Sequence, residues 1–105
     1  MSTKVTIVLP TCYNDGKAVP LRDSAIAENA IIDIAGGFTA IRNVIGAYRM
    51  ANGELCVEIN DQYTIICDNA AKVEALRDVA LQACKDFRQE CVYFETSECN
   101  VEFIR

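Results

Sequence analysis

Alternating hydrophobic and polar positions predict strands in five stretches of the chain. In the clearest one, odd positions from Leu55 to Cys67 are mainly apolar and the even positions between them are mainly polar. Side chains alternate between the two faces of a strand, so each run has one face suited to a core. The predicted strands are Lys4–Thr11, Phe38–Met50, Leu55–Cys67, Cys91–Thr96 and Val101–Ile104.

Two further stretches show the three-to-four-residue apolar spacing of helices. The first is predicted to begin at a cap at Asp23 or Ser24 and to run to Ala35, where Gly36-Gly37 ends it. The second covers Ala70–Gln89 after a cap at Asp68 or Asn69. The resulting order, β-α-β-β-α-β with a short extra strand, is typical of an α+β ferredoxin-like sandwich. We therefore predict a single domain over residues 1–105, with two helices on one face of an antiparallel sheet.

The turn between the two long strands determines which side chains share a face. A three-residue loop, Ala51-Asn52-Gly53 with Gly53 left-handed, directs the odd apolar positions of both strands toward the helices. The opposite face then mixes apolar and charged groups, and such an open face is typical of a protein interface. We predict a homo-oligomer whose sheets pack toward a common axis. The side chains on this face are Phe38, Arg42, Val44, Tyr48, Cys56, Glu58 and Asn60.

Composition narrows the possible chemistry. The 105 residues carry 15 acidic and 10 basic side chains, a formal net charge of -5, which disfavours nucleic-acid binding. Without any histidine, the chain offers no histidine-dependent catalytic triad or metal site. The six cysteines lack C-x-x-C spacing, and no apolar run is long enough for a secretory leader or membrane span. We expect a cytoplasmic protein without metal or cofactor, whose cysteines are mostly small buried hydrophobes.

Charged and phenolic side chains on the open face form the candidate site. Tyr48 and Glu58 are near-diagonal neighbours across the hairpin. In the strand Cys91–Thr96, Val92 and Phe94 face the core, so Tyr93 and Glu95 lie on the open face. Partly buried carboxylates favour a cationic partner, which predicts a cationic or amine-bearing small ligand where subunits meet. Solvated sheet residues, or ion pairs between subunits, are the alternative interpretation. The predicted site residues are Glu58, Glu95, Tyr48, Tyr93 and Arg42.

Short motifs resemble those of phage-encoded enzymes that degrade S-adenosylmethionine. They are V-T-I-V-L-P-T at Val5–Thr11, G-G-F-T at Gly36–Thr39, and G-x-Y at Gly46–Tyr48 with an acidic residue ten positions later. The resemblance implies a trimer of GlnB-like α/β sandwiches with active sites between subunits. It also implies a lyase reaction that yields 5′-methylthioadenosine and L-homoserine lactone, in which the substrate's own carboxylate is the nucleophile.

By position, Tyr48 and Glu58 correspond to that family's active-site tyrosine and glutamate, and Glu95 to a further acidic contact. Tyr93 and Arg42, on the same predicted face, are expected to bind substrate as well. The resemblance further implies action in a host cytoplasm, where removing S-adenosylmethionine would oppose methylation-dependent restriction. It implies no cofactor, no nucleic acid and no membrane partner.

Two other functions fit the same fold. One is a GlnB-like or CutA-like trimer that binds a small molecule or protein without catalysis. The short connection after Met50 disfavours the nitrogen-signalling GlnB-like proteins, which carry a long loop there. CutA itself is disfavoured because the chain has no histidine and no H-P-Y-E-V-P-like stretch. The other is a small phage or mobile-element protein whose open sheet face binds a host protein, for which Glu58 would not be needed.

Overall fold

Two helices pack on one face of a four-stranded antiparallel sheet in the computed structural model, which describes residues 1–105. The spatial order of the strands is β2-β3-β1-β4. This confirms the predicted α+β ferredoxin-like class, with one strand fewer than predicted. The elements are β1 (Ser2–Pro10), α1 (Leu21–Ala35), β2 (Thr39–Arg49), β3 (Leu55–Cys67), α2 (Ala70–Asp86) and β4 (Tyr93–Cys99).

The core lies between the helices and the two central strands. Val5, Ile7 and Leu9 of β1 are at most 2% exposed, as their alternation predicts. They pack in one cluster with β3 and with Ile31 of α1 and Leu76 of α2. Because these side chains come from every layer, burial of apolar surface holds the helices onto the sheet.

The helix ends follow the predicted capping only in part. The left-handed Gly36, with φ of 89°, ends α1, and Asn69 caps α2 by accepting a hydrogen bond from the Lys72 amide at 2.9 Å. However, α1 begins at Leu21, directly after Pro20, and has no side-chain cap. The carboxylate of Asp23 instead accepts a hydrogen bond from the phenol of Tyr13 at 3.2 Å.

A β-bulge in β2 changes which side chains before it face the helices, so the predicted open face is partly wrong. The register with β3 shifts between Ile41 and Val44, and Asn43 has a left-handed φ of 58°. The predicted alternation therefore holds only beyond the bulge. Before it, Phe38 packs on the helix side, with its ring centroid 5.2 Å from that of Tyr63. The prediction that Phe38 and Arg42 lie on the open face was wrong.

The β2–β3 hairpin extends beyond the helices. Its odd positions are apolar, as predicted, but only the part near Tyr63, Ile65 and Cys67 is buried. Toward the turn the same face is open to solvent, with Ile45 75% and Val57 60% exposed. The principal extents of 46 × 28 × 26 Å reflect this projection. The prediction that the helices cover the whole odd face of the hairpin was therefore wrong, because α1 and α2 do not extend over its exposed part.

The C-terminal residues also differ from the prediction. Val101–Ile104 does not form a strand, and Phe103 and Ile104 are more than four-fifths exposed. The cysteines are less buried than expected, since only Cys67 of the six free thiols is buried. Neither helix has the length and hydropathy of a membrane span.

Candidate functional site

The turn of the β2–β3 hairpin places Tyr48 beside Glu58. The Met50 amide donates to the Glu54 carbonyl at 2.7 Å, and the intervening three residues end at Gly53, whose φ is 87°. This is the predicted three-residue loop with a left-handed Gly53. Beyond the bulge, Tyr48 pairs with Cys56 and Gly46 pairs with Glu58, so Tyr48 and Glu58 are diagonal neighbours on the open face.

Tyr48, Cys56 and Glu58 form one hydrogen-bonded group. The Tyr48 hydroxyl donates to Oε1 of Glu58 at 2.9 Å, and the Cys56 thiol donates to the same oxygen at 3.6 Å. The interaction with the Cys56 thiol, followed by the hydrogen bond and negative charge of Glu58, raises the pKa of the Tyr48 phenol. The phenol therefore stays protonated near neutral pH. Every contact uses Oε1, which leaves Oε2 of Glu58 open to a ligand.

Gly46 and Asn60 complete this surface, although sequence reasoning did not assign them to the site. Asn60 is only 6% exposed, and its amide is absent from the side-chain hydrogen bonds of the chain. A Cβ at position 46 would lie 3.0 Å from its Nδ2, so the amide leans over the glycine. The sequence signal was available: an asparagine and a glycine interrupt two strands that are otherwise rich in β-branched residues.

Tyr93 and Glu95 share the open face but lie far from Tyr48 within one chain. Tyr93 pairs with Val8 and Glu95 with Thr6, on the edge strand β4. Since β4 and β2 are separated by two strands, three spacings of about 4.8 Å lie between them. The nearby charge of Glu95 is the main cause of the raised pKa of Tyr93. A single chain therefore brings together Tyr48 and Glu58, and separately Tyr93 and Glu95.

Arg42 does not join either pair. Its guanidinium donates to Glu28 at 2.9 Å, to Tyr63 at 3.0 Å and to Asp61 at 3.2 Å, all on the helix side of β2. The predicted convergence of Arg42 with Tyr48 and Glu58 was wrong, because the bulge at Asn43 turns it to the other face. Partial burial would raise the pKa of Glu28, but the hydrogen bonds from Arg42 and Tyr63 outweigh it and lower that pKa.

A groove of about 550 Å³ lies next to this ion-paired cluster rather than at the hairpin. Its charges are already paired within the chain, since Arg42 contacts both Glu28 and Asp61, and together they leave an excess of one negative charge. The Tyr48–Glu58 surface, by contrast, is an open sheet face in a single chain. An enclosed pocket there requires a second chain to cover it. The groove is lined by Thr11, Leu21, Ser24, Ala25, Glu28, Arg42, Asn43 and Asp61.

Solved structures with a similar fold include a phage SAM lyase and several CutA proteins. A phage SAM lyase in complex with S-methyl-5′-thioadenosine matches with a TM-score of 0.72 at 20% identity, over 92% of this chain and 81% of that one. The likeness establishes the fold. CutA from Xylella fastidiosa matches with a TM-score of 0.68 at 15% identity, over 97% of this chain and 86% of that one.

CutA1 from Oryza sativa is similar to the same degree, with a TM-score of 0.70 at 10% identity over 97% of this chain and 83% of that one. Neither the scan of protein-family models nor the search of curated proteins finds a match to the sequence. This chain therefore has the fold that these SAM lyase and CutA structures share.

Proposed function

We propose that this protein is an S-adenosylmethionine lyase that acts as a homotrimer with active sites between subunits. The observation that carries the proposal is the Tyr48–Cys56–Glu58 group, which presents a free carboxylate oxygen on an open sheet face. Carboxylates suit a ligand with an ammonium and a sulfonium group, and the net charge of -5 favours approach of a cation. The lyase of similar fold binds S-methyl-5′-thioadenosine, a product expected of this reaction.

The proposed reaction needs little chemistry from the protein. A carboxylate oxygen of the methionyl group attacks the γ-carbon of the same molecule and forms the ring C–O bond of homoserine lactone. The Cγ–S bond breaks, and its electron pair neutralises the sulfonium to give 5′-methylthioadenosine. No water is consumed and no proton moves, so the missing histidines are no obstacle. The protein contributes by folding the substrate into the reactive shape and by electrostatic stabilisation.

Each residue of the site has a role in this scheme. Glu58 binds the substrate ammonium through Oε2, while Tyr48 holds Oε1 and presents its ring to the ligand. Tyr93 and Glu95 contact the substrate from the neighbouring subunit, since within one chain they lie three strands away. Arg42 has a structural role instead, because Glu28, Asp61 and Tyr63 already engage its guanidinium.

The trimer accounts for apolar surface that a single chain leaves open. Tyr93 and Ile41 on the open face are both more than half exposed, as are Ile45 and Val57 on the opposite face of the hairpin. Covering these side chains with neighbouring chains would remove them from water and enclose the Tyr48–Glu58 surface. In solution we expect a particle of three times the chain mass of 11.6 kDa.

The test is to incubate the purified protein with S-adenosylmethionine and follow 5′-methylthioadenosine and homoserine lactone by chromatography. We expect Glu58→Gln to lower kcat/KM by about 10-fold to 100-fold, because a hydrogen bond to a charged group contributes about 1.5–3 kcal/mol. Glu54→Gln is the matched control: it makes the same charge change at the exposed hairpin turn and should retain full activity. Absence of both products with the wild-type trimer would refute the proposal.

A non-catalytic trimer of the CutA or GlnB type is the second candidate. The CutA structures favour it, since they match this fold nearly as well as the lyase does. It predicts a stable trimer that binds ligand and releases it unchanged. Binding of S-adenosylmethionine without turnover would support this second function.

A further inference from the structure

We propose that Asn60, placed next to Gly46, binds the carboxylate of an α-amino-acid group whose ammonium is bound by Glu58. This inference rests on the proposed function, because it assigns the reactive end of the same substrate. It goes further because it assigns a second polar contact to the ligand and explains why β2 has a glycine at position 46. Asn60 would thereby orient the nucleophilic carboxylate itself.

The amide of Asn60 is placed like a binding group. Asn60 is 94% buried as a residue, yet its amide is absent from the side-chain hydrogen bonds of the chain. With so little water around it, a hydrogen bond from this amide to a ligand would be stronger than one at a fully exposed position. No fully enclosed polar side-chain atom in the protein lacks a partner, so this amide keeps a narrow contact with the surface. It is available to a ligand.

Gly46 makes the space that such a ligand needs. It pairs with Glu58 across the ladder, and Nδ2 of Asn60 lies close to the position that a Cβ would take. Any other residue there would push the amide away by a few tenths of an ångström, because its Cβ would be 3.0 Å from that nitrogen. With glycine, the surface between the carboxylate and the amide stays uncovered.

Glu58 and Asn60 then form an acceptor and a donor side by side. They are two positions apart on one strand and on the same face, which spaces them by about 7 Å. Two hydrogen bonds of about 2.9 Å can reach from these side chains to the adjacent ammonium and carboxylate of one α-amino acid. Oε2 of Glu58 accepts from the ammonium, and Nδ2 of Asn60 donates to the carboxylate.

The experiment compares two unreactive ligands by calorimetry on the assembled protein. S-adenosylhomocysteine carries the amino-acid group, and 5′-methylthioadenosine lacks it. We expect Asn60→Asp to weaken S-adenosylhomocysteine binding at least tenfold, because the new carboxylate repels that of the ligand, while 5′-methylthioadenosine binding changes less than twofold. Gly46→Ala should act in the same direction. Gln62→Glu adds the same charge on the same face, farther from Glu58, and serves as the control with little effect on either ligand.

The outcomes separate this inference from the lyase proposal. If Asn60→Asp weakens both ligands equally, or neither, the amino-acid subsite is refuted even when the wild type has lyase activity. If the selective loss is seen in a protein that forms no lactone, the subsite stands and the lyase proposal fails. If the wild type binds neither ligand, both are refuted. Thermal unfolding of each variant checks that a selective loss does not reflect a damaged fold.

Discussion

Removing the hydroxyl of Tyr63 measures how strongly the Arg42 cluster joins α1 to the sheet. The Tyr63 side chain is 1% exposed, and its hydroxyl donates to Glu28 at 2.6 Å and accepts from Arg42 at 3.0 Å. Tyr63→Phe removes both hydrogen bonds but leaves the Arg42–Glu28 ion pair at 2.9 Å. The ring also keeps its contact with Phe38, so the loss is confined to the hydroxyl.

The expected cost follows from those two contacts. Hydrogen bonds to charged groups contribute about 1.5–3 kcal/mol each, but both charged partners retain solvent contact and each other. We therefore expect a loss of about 2 kcal/mol in the free energy of unfolding. For a domain of this size that corresponds to a thermal midpoint lower by roughly 10 °C.

Urea denaturation at neutral pH and fixed protein concentration is the assay, since oligomers unfold in a concentration-dependent way. Tyr13→Phe is the matched control: it removes a phenol whose one hydrogen bond, to Asp23 of α1 at 3.2 Å, does not reach the sheet, and it should cost less than Tyr63→Phe. If Tyr63→Phe costs no more than Tyr13→Phe, the cluster does not join α1 to the sheet.

Two further predictions concern the same region. Asn43→Gly should keep or slightly raise the free energy of unfolding, whereas Asn43→Val should lower it by about 1–2 kcal/mol, because a β-branched residue is strained at a φ of 58°. Equal midpoints of urea unfolding for the two variants would show that position 43 is not left-handed. Glu28→Gln should destabilise most above pH 4.5, the ordinary pKa of this carboxyl, and the difference from wild type should shrink as pH falls through its lowered folded pKa. Chemical denaturation between pH 3 and pH 7 measures this, and a difference independent of pH would show that the charge of Glu28 is not involved.

Local sequence patterns predicted most of the fold because the core follows them closely. Val5, Ile7 and Leu9 alternate as a buried strand must, and Asn69 and Gly36 supply the cap and the helix end that their chemistry favours. The bounds of β3 were predicted without error as Leu55–Cys67. These features depend on neighbours within a few residues, which a sequence displays directly.

The errors came from features without a local signal. Nothing around Asn43 marks a one-residue shift of register, yet that shift moved Phe38 and Arg42 to the other face. The geometry of the candidate site was predicted only in part, because Arg42 lies before the bulge and turns to the helix side. Tyr48 and Glu58 lie beyond the bulge, where counting positions from the turn still holds. The strand predicted at Val101–Ile104 is absent for a different reason, because alternating side chains alone do not provide a neighbouring strand to pair with.

The bulge at Asn43 also separates two kinds of evolutionary constraint along one strand. Residues before it, such as Phe38, pack against the core, so substitutions there are limited by folding. Residues after it, from Val44 to Tyr48, do not belong to that core, and alternate ones, including Tyr48, lie on the open face. The half beyond the bulge can therefore change its chemistry while the other half preserves the fold. Such a division is consistent with a shared architecture persisting at 10–20% identity.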